Sequence, residues 1–295
     1  NSNKMVIING EPLTFSTFSK SSLDWNSCMS SCYQMASCLA VHYFEPNPEC
    51  QIFEIGKILN IKKLYSFPGK MMAVKMLSDP TQCSSTSDGN SMRGEISTKS
   101  TYQNYSITVD QDIWTITASP QFTCPDSFRL FHRVLGMWCL GVVISEPTSQ
   151  LVSSEECIQK YGGVLSGFDS MDEINFMIDI TVPLFSSTKS YPWYGYWING
   201  IRKETCRFSN QTGSACSGIK GFTLTDPLLS NTNFYIWGFD SQPNGMSDGL
   251  GTSNCVVIRI NGKNGGGMDD IPCDGSQSGS VYINGYMCGL RPNES

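Results

Sequence analysis

Gln242-Pro243-Asn244, Cys255-Val256-Val257-Ile258, Asp269-Asp270-Ile271-Pro272-Cys273 and Met287-Cys288-Gly289 follow Trp237 within one stretch of the chain. Oxygen-bearing side chains fall in two expected loops there, and three cysteines can pin those loops to strands. Hard cations want clustered oxygens, and a sugar hydroxyl can complete a cation's shell. The stretch therefore raises one question, whether it builds a cation-dependent sugar site or keeps only its outline.

Composition limits the answers. The chain has 295 residues, 40% of them hydrophobic, enough for more than one core. Its net charge of −6 argues against nucleic acid, because phosphate binding needs clustered Lys and Arg. The charge is uneven: residues 1–123 carry 9 basic and 10 acidic groups, residues 124–295 carry 11 and 16. Most of the acidity thus lies in the half with the candidate site, although Asp169, Asp172, Glu173 and Asp179 read as a solvated helix face.

Thirteen cysteines, no CxxC pair and two histidines, His42 and His132, favour disulfides in an oxidising compartment over zinc. Sequons at Asn104, Asn210 and Asn293 fit secretion and N-glycosylation. The chain opens on Asn1 without a charged and apolar leader, which predicts a signal peptide already removed. No apolar run approaches the ~20 residues that span a bilayer.

Two blocks are legible. Residues 1–83 open with a strand at Met5-Val6-Ile7-Ile8 and a turn at Asn9-Gly10. A short helix follows, with Ser22 or Asp24 as its cap and Trp25, Cys28 and Cys32 on one face. Strands are expected at Leu39–Phe44, Cys50–Ile55 and Met71–Leu77. Residues 84–123 read as a Ser/Thr-rich connector with a possible hairpin, Tyr105–Val109 and Ile113–Thr117. The second block, residues 124–290, carries two helices with capping-box starts, at Ser153-Ser-Glu-Glu156 and Ser170-Met-Asp-Glu173. Ile174, Met177 and Ile178 form one buried stripe, and Pro183 ends the second helix. Helices come before most strands and long loops, which indicates an α+β fold.

The Trp25-Asn-Ser-Cys28-x3-Cys32 helix and the Cys50-Gln-Ile-Phe53 strand resemble the PAN/apple-like superfamily, in its nematode CW-type version. That resemblance implies Cys28–Cys50 and Cys32–Cys38 bridges. The order of Cys157, Trp197-Ile-Asn-Gly-Ile201, Trp237, Cys255, Cys273 and Cys288 resembles a long-form C-type lectin-like domain. Phe222-Thr-Leu-Thr-Asp226 matches a further family stretch, with Leu224 in place of Trp. This second resemblance implies Cys124–Cys139, Cys157–Cys288 and Cys255–Cys273, with Cys206 and Cys216 left to pair together. Cys83 has no partner in this scheme.

Sugar-binding members of that family hold calcium through a proline-centred triplet, an acid before the next cysteine and an Asn-Asp pair. Carried over, the metal and ligand positions are Gln242, Asn244, Ser253, Asp269 and Asp270, with Asp248 as a further candidate. Three departures follow: the triplet is Gln-Pro-Asn, Ser253 replaces the acid, and Met268-Asp-Asp replaces Trp-Asn-Asp. Ligand charge sets calcium affinity, so two carboxylates in place of three imply a weaker site. Trp237 and Tyr235 border the loop as candidate ligand contacts, whereas Trp193, Tyr194, Tyr196 and Trp197 read as core. Two readings stand: secreted, calcium-dependent carbohydrate binding, or a calcium-independent protein- or glycoprotein-binding module on a degenerate sugar site. Either fits recognition in defence, strengthened by a homo-oligomer or other multivalency. With one histidine in the second block and adjacent acids on one segment, an enzyme is not expected.

Overall fold

The computed structural model describes residues 3–46, 48–66, 69–78, 92–185, 191–207, 215–238, 242–245, 247–248, 251–262, 265–275, 277–278 and 280–295. The chain forms two compact units: Asn1–Thr123 with Asn293–Ser295, and Cys124–Pro292. Cys83 and the sequon residue Asn210 lie outside the described residues.

In the first unit, helix α1 (Trp25–Gln34) is capped by Asp24, whose carboxylate accepts from the Ser27 amide at 2.9 Å. Its buried face carries Cys28 and Cys32, bonded to Cys50 and Cys38 on two neighbouring strands. The strand Asn3–Phe15 runs longer than its apolar start predicts. Its first half pairs with Lys70–Leu77 and its second half with Ile58–Lys63, so one strand joins two sheet segments. Asn9-Gly10, expected as a turn, lies inside it. A Cβ on Gly10 would stand 2.9 Å from the Lys62 carbonyl oxygen, so glycine here permits close strand approach.

Residues 92–118 differ from the expected connector. They form strands Met92–Ser97, Thr101–Asp110 and Ile113–Ala118, and the last pairs with Ile58–Lys63, placing Trp114 opposite Ile61. Ile96, Tyr105, Ile107 and Trp114 are buried in one cluster with Ile58 and Ile61. The hairpin therefore completes the first unit's core. The Ser/Thr-rich composition that marked a connector belongs to residues 84–91, which lie outside the described residues.

The second unit opens with a hairpin, Phe128–Arg133 and Gly136–Ile144, stapled by Cys124–Cys139. Helix α2 (Gln150–Tyr161) is capped by Ser149, not Ser153, and closes on Gly162 in the left-handed region at φ 69°. Ser153 is buried inside the helix instead. Helix α3 (Met171–Thr181) starts on the Ser170 cap, buries Ile174 and Met177, and passes into a 3-10 turn containing Pro183. The sheet runs 128–133, 136–144, 281–290, 193–202, 251–260, with 265–272 paired to 251–260. Strands 193–202 and 281–290 are parallel. Tyr194, Tyr196 and Trp197 are buried, in line with their core reading.

Part of the expected solvated acidic face is in fact interior. Glu173 and Asp169 are buried. Glu173 accepts two bonds from Arg133, both at 2.8 Å, and Asp226 accepts a third at 2.9 Å. Asp169 accepts the Ser230 and Asn231 amides at 2.6 and 2.7 Å. Glu173 of helix α3, and Asp169 just before its cap, thus tie this region to strand Phe128–Arg133 and to the loop after Thr223 by charge, because both acids meet fixed donors that replace water.

Candidate functional site

The two acids of the candidate site occupy strand Gly265–Pro272, not a loop. Adjacent strand residues point to opposite faces. The register fixes which faces: Asp269 lies opposite Val257, and Asp270 opposite Val256. The two carboxylates therefore diverge, and each meets a different arginine.

Asp270 faces strand Trp193–Arg202. Its Oδ2 receives the Arg202 Nη2 at 2.6 Å, and both side chains are fully buried. The same carboxylate accepts the Asn244 amide at 2.9 Å and the Gly245 amide at 2.7 Å. The Asn244 amide also donates to Gln242 Oε1 at 3.0 Å, and the Gln242–Pro243 peptide bond is cis. Gln242, Asn244 and Asp270, three of the positions the resemblance implies, thus meet around backbone N–H groups and a guanidinium. Ser253 is buried, and its carbonyl accepts Arg202 Nε at 3.1 Å. Arg202 in turn lies over the Phe222 ring at 4.6 Å, and Phe222 packs against half-buried Trp237 at 5.8 Å.

Asp269 belongs to a separate pair. Its Oδ2 lies 3.2 Å from Arg259 Nη1. Arg259 Nη2 donates to the Gly266 carbonyl at 3.0 Å, and its guanidinium sits over Trp193 at 5.2 Å. A Cβ at Gly238 would stand 1.9 Å from that same Nη2, so the segment after Trp237 needs glycine to pass the arginine. Burial pushes the Asp269 carboxyl up to about 6, against the opposing pull of Arg259 and with a further push from Asp270. Since 3.8 is its ordinary value, Asp269 stabilises the fold fully below that pH and loses this contribution as pH rises through about 6. Carbon-detected NMR should show its carboxyl titrating near 6, and Asp269→Asn should flatten the stability curve across that window. A midpoint below about 4 would mean that the pair is open to water.

These residues do not fit a calcium ion. One carboxylate is neutralised by Arg202 and spends both oxygens on loop amides, and the other is turned away to Arg259. Among the described residues no three His, Cys, Asp or Glu side chains gather closely enough to hold a metal. Asp248 falls in the short strand Ser247–Asp248, and its side chain lies outside the described residues. Tyr235, expected near the ligand surface, is buried and donates to the Asn199 carbonyl at 2.8 Å. Exposed Ile236 and half-buried Trp237 are what that segment presents instead. Trp237 is held by backbone bonds on both sides, from Gly238 N to Met268 O and from Met268 N to Ile236 O.

Arg202 and Arg259 are the residues that sequence reasoning misses. A signal existed in each case. Arg259 interrupts the apolar run Val256-Val-Ile-Arg-Ile260, and Arg202 ends a strand of buried aromatics. A charge in such a place needs a partner.

The six bridges Cys28–Cys50, Cys32–Cys38, Cys124–Cys139, Cys157–Cys288, Cys206–Cys216 and Cys255–Cys273 are formed. The last ties strand 251–260 to the end of the Asp269-Asp270 strand. Asn104 and Asn293 lie exposed on strands. No helix among the described residues is long and apolar enough to cross a membrane.

Comparison with known proteins gives the fold a setting. Residues 5–76 match the PAN-like domain, and residues 132–291 match the family described as C-type lectin domain-containing protein 141/158. The chain is similar to C-type lectin domain-containing protein 158 of Caenorhabditis elegans, 23% identical over 156 residues, covering 49% of this chain and 74% of that protein. Among solved structures it is similar to a calcium-independent type II antifreeze protein, at 18% identity and TM-score 0.35, covering 58% of this chain and 97% of that one. It is also similar to the carbohydrate-recognition domain of mouse scavenger receptor C-type lectin, at 17% identity and TM-score 0.34, covering 58% and 98%.

Proposed function

The chain belongs to the C-type lectin domain-containing protein 141/158 family, and on that premise we propose that it is a secreted recognition protein whose second unit binds glycan or glycoprotein without calcium. Members of this family are binding proteins, not enzymes. One observation carries the calcium-independent reading: the Asp270 carboxylate is already engaged by Arg202 and by the Asn244 and Gly245 amides. A ligand then meets the preformed turn 242–245 and the neighbouring surface of Ile236 and Trp237. Aromatic faces suit sugar rings and flat apolar surfaces alike. The six disulfides are in keeping with an extracellular setting. Small exposed sites bind weakly, so a homo-oligomer or clustered ligand would supply the working avidity.

A glycan and glycoprotein array probed with the full chain, in parallel in chelator and in millimolar calcium, tests the proposal. Equal signals in both buffers are expected, with Trp237→Ala losing most of the signal while its circular dichroism stays unchanged. Binding that appears only in calcium would sink it.

A further inference from the structure

We propose that His42 is an acid-sensing latch of the first unit: proton uptake at its ring loosens the sheet around strand Cys38–Phe44, so that mild acid weakens this unit and not the second. The latch is built from four side chains in a line. Lys20 Nζ donates to Glu49 Oε2 at 2.9 Å, and Gln51 Nε2 donates to Glu49 Oε1 at 2.8 Å. A carboxylate only accepts, so the Gln51 amide turns its NH2 to Glu49 and its carbonyl to His42. His42 Nδ1 lies 3.0 Å from that carbonyl oxygen and therefore carries the hydrogen. Nε2 is left bare. It is buried and has no hydrogen-bond partner among the described residues.

His42 sits on a central strand, opposite Gln51 on one side and Met72 on the other. Ala40 and Met72, on the same face of the sheet, belong to the unit's apolar core. A proton at Nε2 would therefore place a charge and an unsatisfied N–H beside that core. Three charged groups face the ring: Glu11 on strand Asn3–Phe15, Glu49 just before strand Cys50–Glu54, and Lys70 on strand Lys70–Leu77. Both acids are already engaged, Glu11 with Lys70 and Glu49 with Lys20 and Gln51.

Burial holds the imidazole below its ordinary 6.5, against the Gln51 bond. Lys70 pushes it further down, while Glu11 and Glu49 pull it up. A lowered folded value means stability that is present above 6.5 and lost as pH falls through the folded value. Lys75, the unit's other buried base, is lowered to about 8, so its effect is spent before this window opens. Glu11 and Glu49 lie below their ordinary 4.5 and act after it closes. In the second unit Asp269 and Glu173 are raised, so the same acidification strengthens that unit.

The test is amide hydrogen exchange across the full chain, corrected for intrinsic exchange rates, at about pH 7.5 and about pH 5. Strands Cys38–Phe44 and Lys70–Leu77 should lose about tenfold in protection at the lower pH, while strands Trp193–Arg202 and Gly251–Ile260 keep theirs. His42→Gln should abolish the loss. His132→Gln, which removes the chain's other histidine, should leave it in place. Long-range proton–nitrogen NMR of the wild type should find His42 as the Nδ1–H tautomer at neutral pH, titrating below 6.5. That measurement holds even where a variant fails to fold. Unchanged wild-type protection at the lower pH, an equal loss in His42→Gln, an Nε2–H tautomer or a midpoint at or above 6.5 would each overturn the proposal.

Discussion

Arg133→Met is expected to destabilise the C-type lectin-like unit by about 3–5 kcal/mol, the range for stripping one partner from a buried ion cluster. Arg133 gives Nε and Nη2 to Glu173, Nη1 to Asp226, and Nη2 also to the Gly167 carbonyl at 2.9 Å. All three charged side chains are at most 1% exposed. Methionine keeps much of the contact with the Trp138 ring, which the guanidinium faces at 5.2 Å. The loss is therefore chiefly one of charge. Two buried carboxylates would be left without the cation that bridges them, and the loop carrying Asp226 would lose its link through Arg133 to Glu173 on α3, while the Asp169 bonds to Ser230 and Asn231 remain. Burial already holds the Glu173 carboxyl above its ordinary 4.5, despite the opposing pull of Arg133. A raised value means stability that is fully present below 4.5 and lost as pH rises through the folded value. The variant's deficit should accordingly be larger at pH 7 than at pH 5, since the stranded acids can take up protons at the lower pH. Denaturant unfolding at the two pH values measures this. A deficit under about 1 kcal/mol at neutral pH would place the pair among exposed, weakly coupled ones. Arg133→Lys should recover little, because a single ammonium cannot reach both acids and the Gly167 carbonyl in a planar fork.

How much of this was legible in sequence depended on range. Helix α3 was readable residue by residue, because Ser170, Ile174, Met177 and Pro183 interact within one or two turns. The start of α2 was misplaced because Ser149 and Ser153 are equally good caps by type, and only burial of Ser153 separates them. In the first unit, Ser- and Thr-rich residues 84–91 coloured the reading of residues 92–118, whose alternation of Met92, Gly94 and Ile96 is short and weak. The candidate site shows the limit most clearly. Residue type drew attention to Asp269 and Asp270, and resemblance carried them over as one set with Gln242, Asn244 and Ser253. The outcome nevertheless turned on strand register. A register that sets Asp270 opposite Val256 sends it to Arg202, 68 residues away in sequence, and sends Asp269 to Arg259 on the other face. No local pattern encodes that choice. It is made by the pairing of strand 251–260 with both of its neighbours at once, and a shift of one residue would exchange the two acids.

Replacing Cys157 and Cys288 with alanine is expected to cost the same unit about 5 kcal/mol in chain-entropy terms. The bridge closes 131 residues and binds α2 to the closing strand, so reduction releases nearly the whole unit in the unfolded state. Cys206–Cys216 closes only 10, and its loss should cost about 3 kcal/mol by the same relation. The packing around the long bridge adds to the difference. Both its cysteines are fully buried, and a Cβ on Gly163 would lie 3.2 Å from each sulfur and 2.4 Å from the Gly289 carbonyl. The sulfurs thus fill space that a glycine backbone leaves open, and two alanines would leave a void there. Thermal and denaturant unfolding of the two double-alanine variants, side by side, distinguishes the contributions. Equal losses would mean that strain or packing, not loop closure, governs these bridges. A loss confined to the Cys157–Cys288 variant, with ligand binding kept below its lowered midpoint, would show that the bridge holds the unit together without shaping the turn at 242–245.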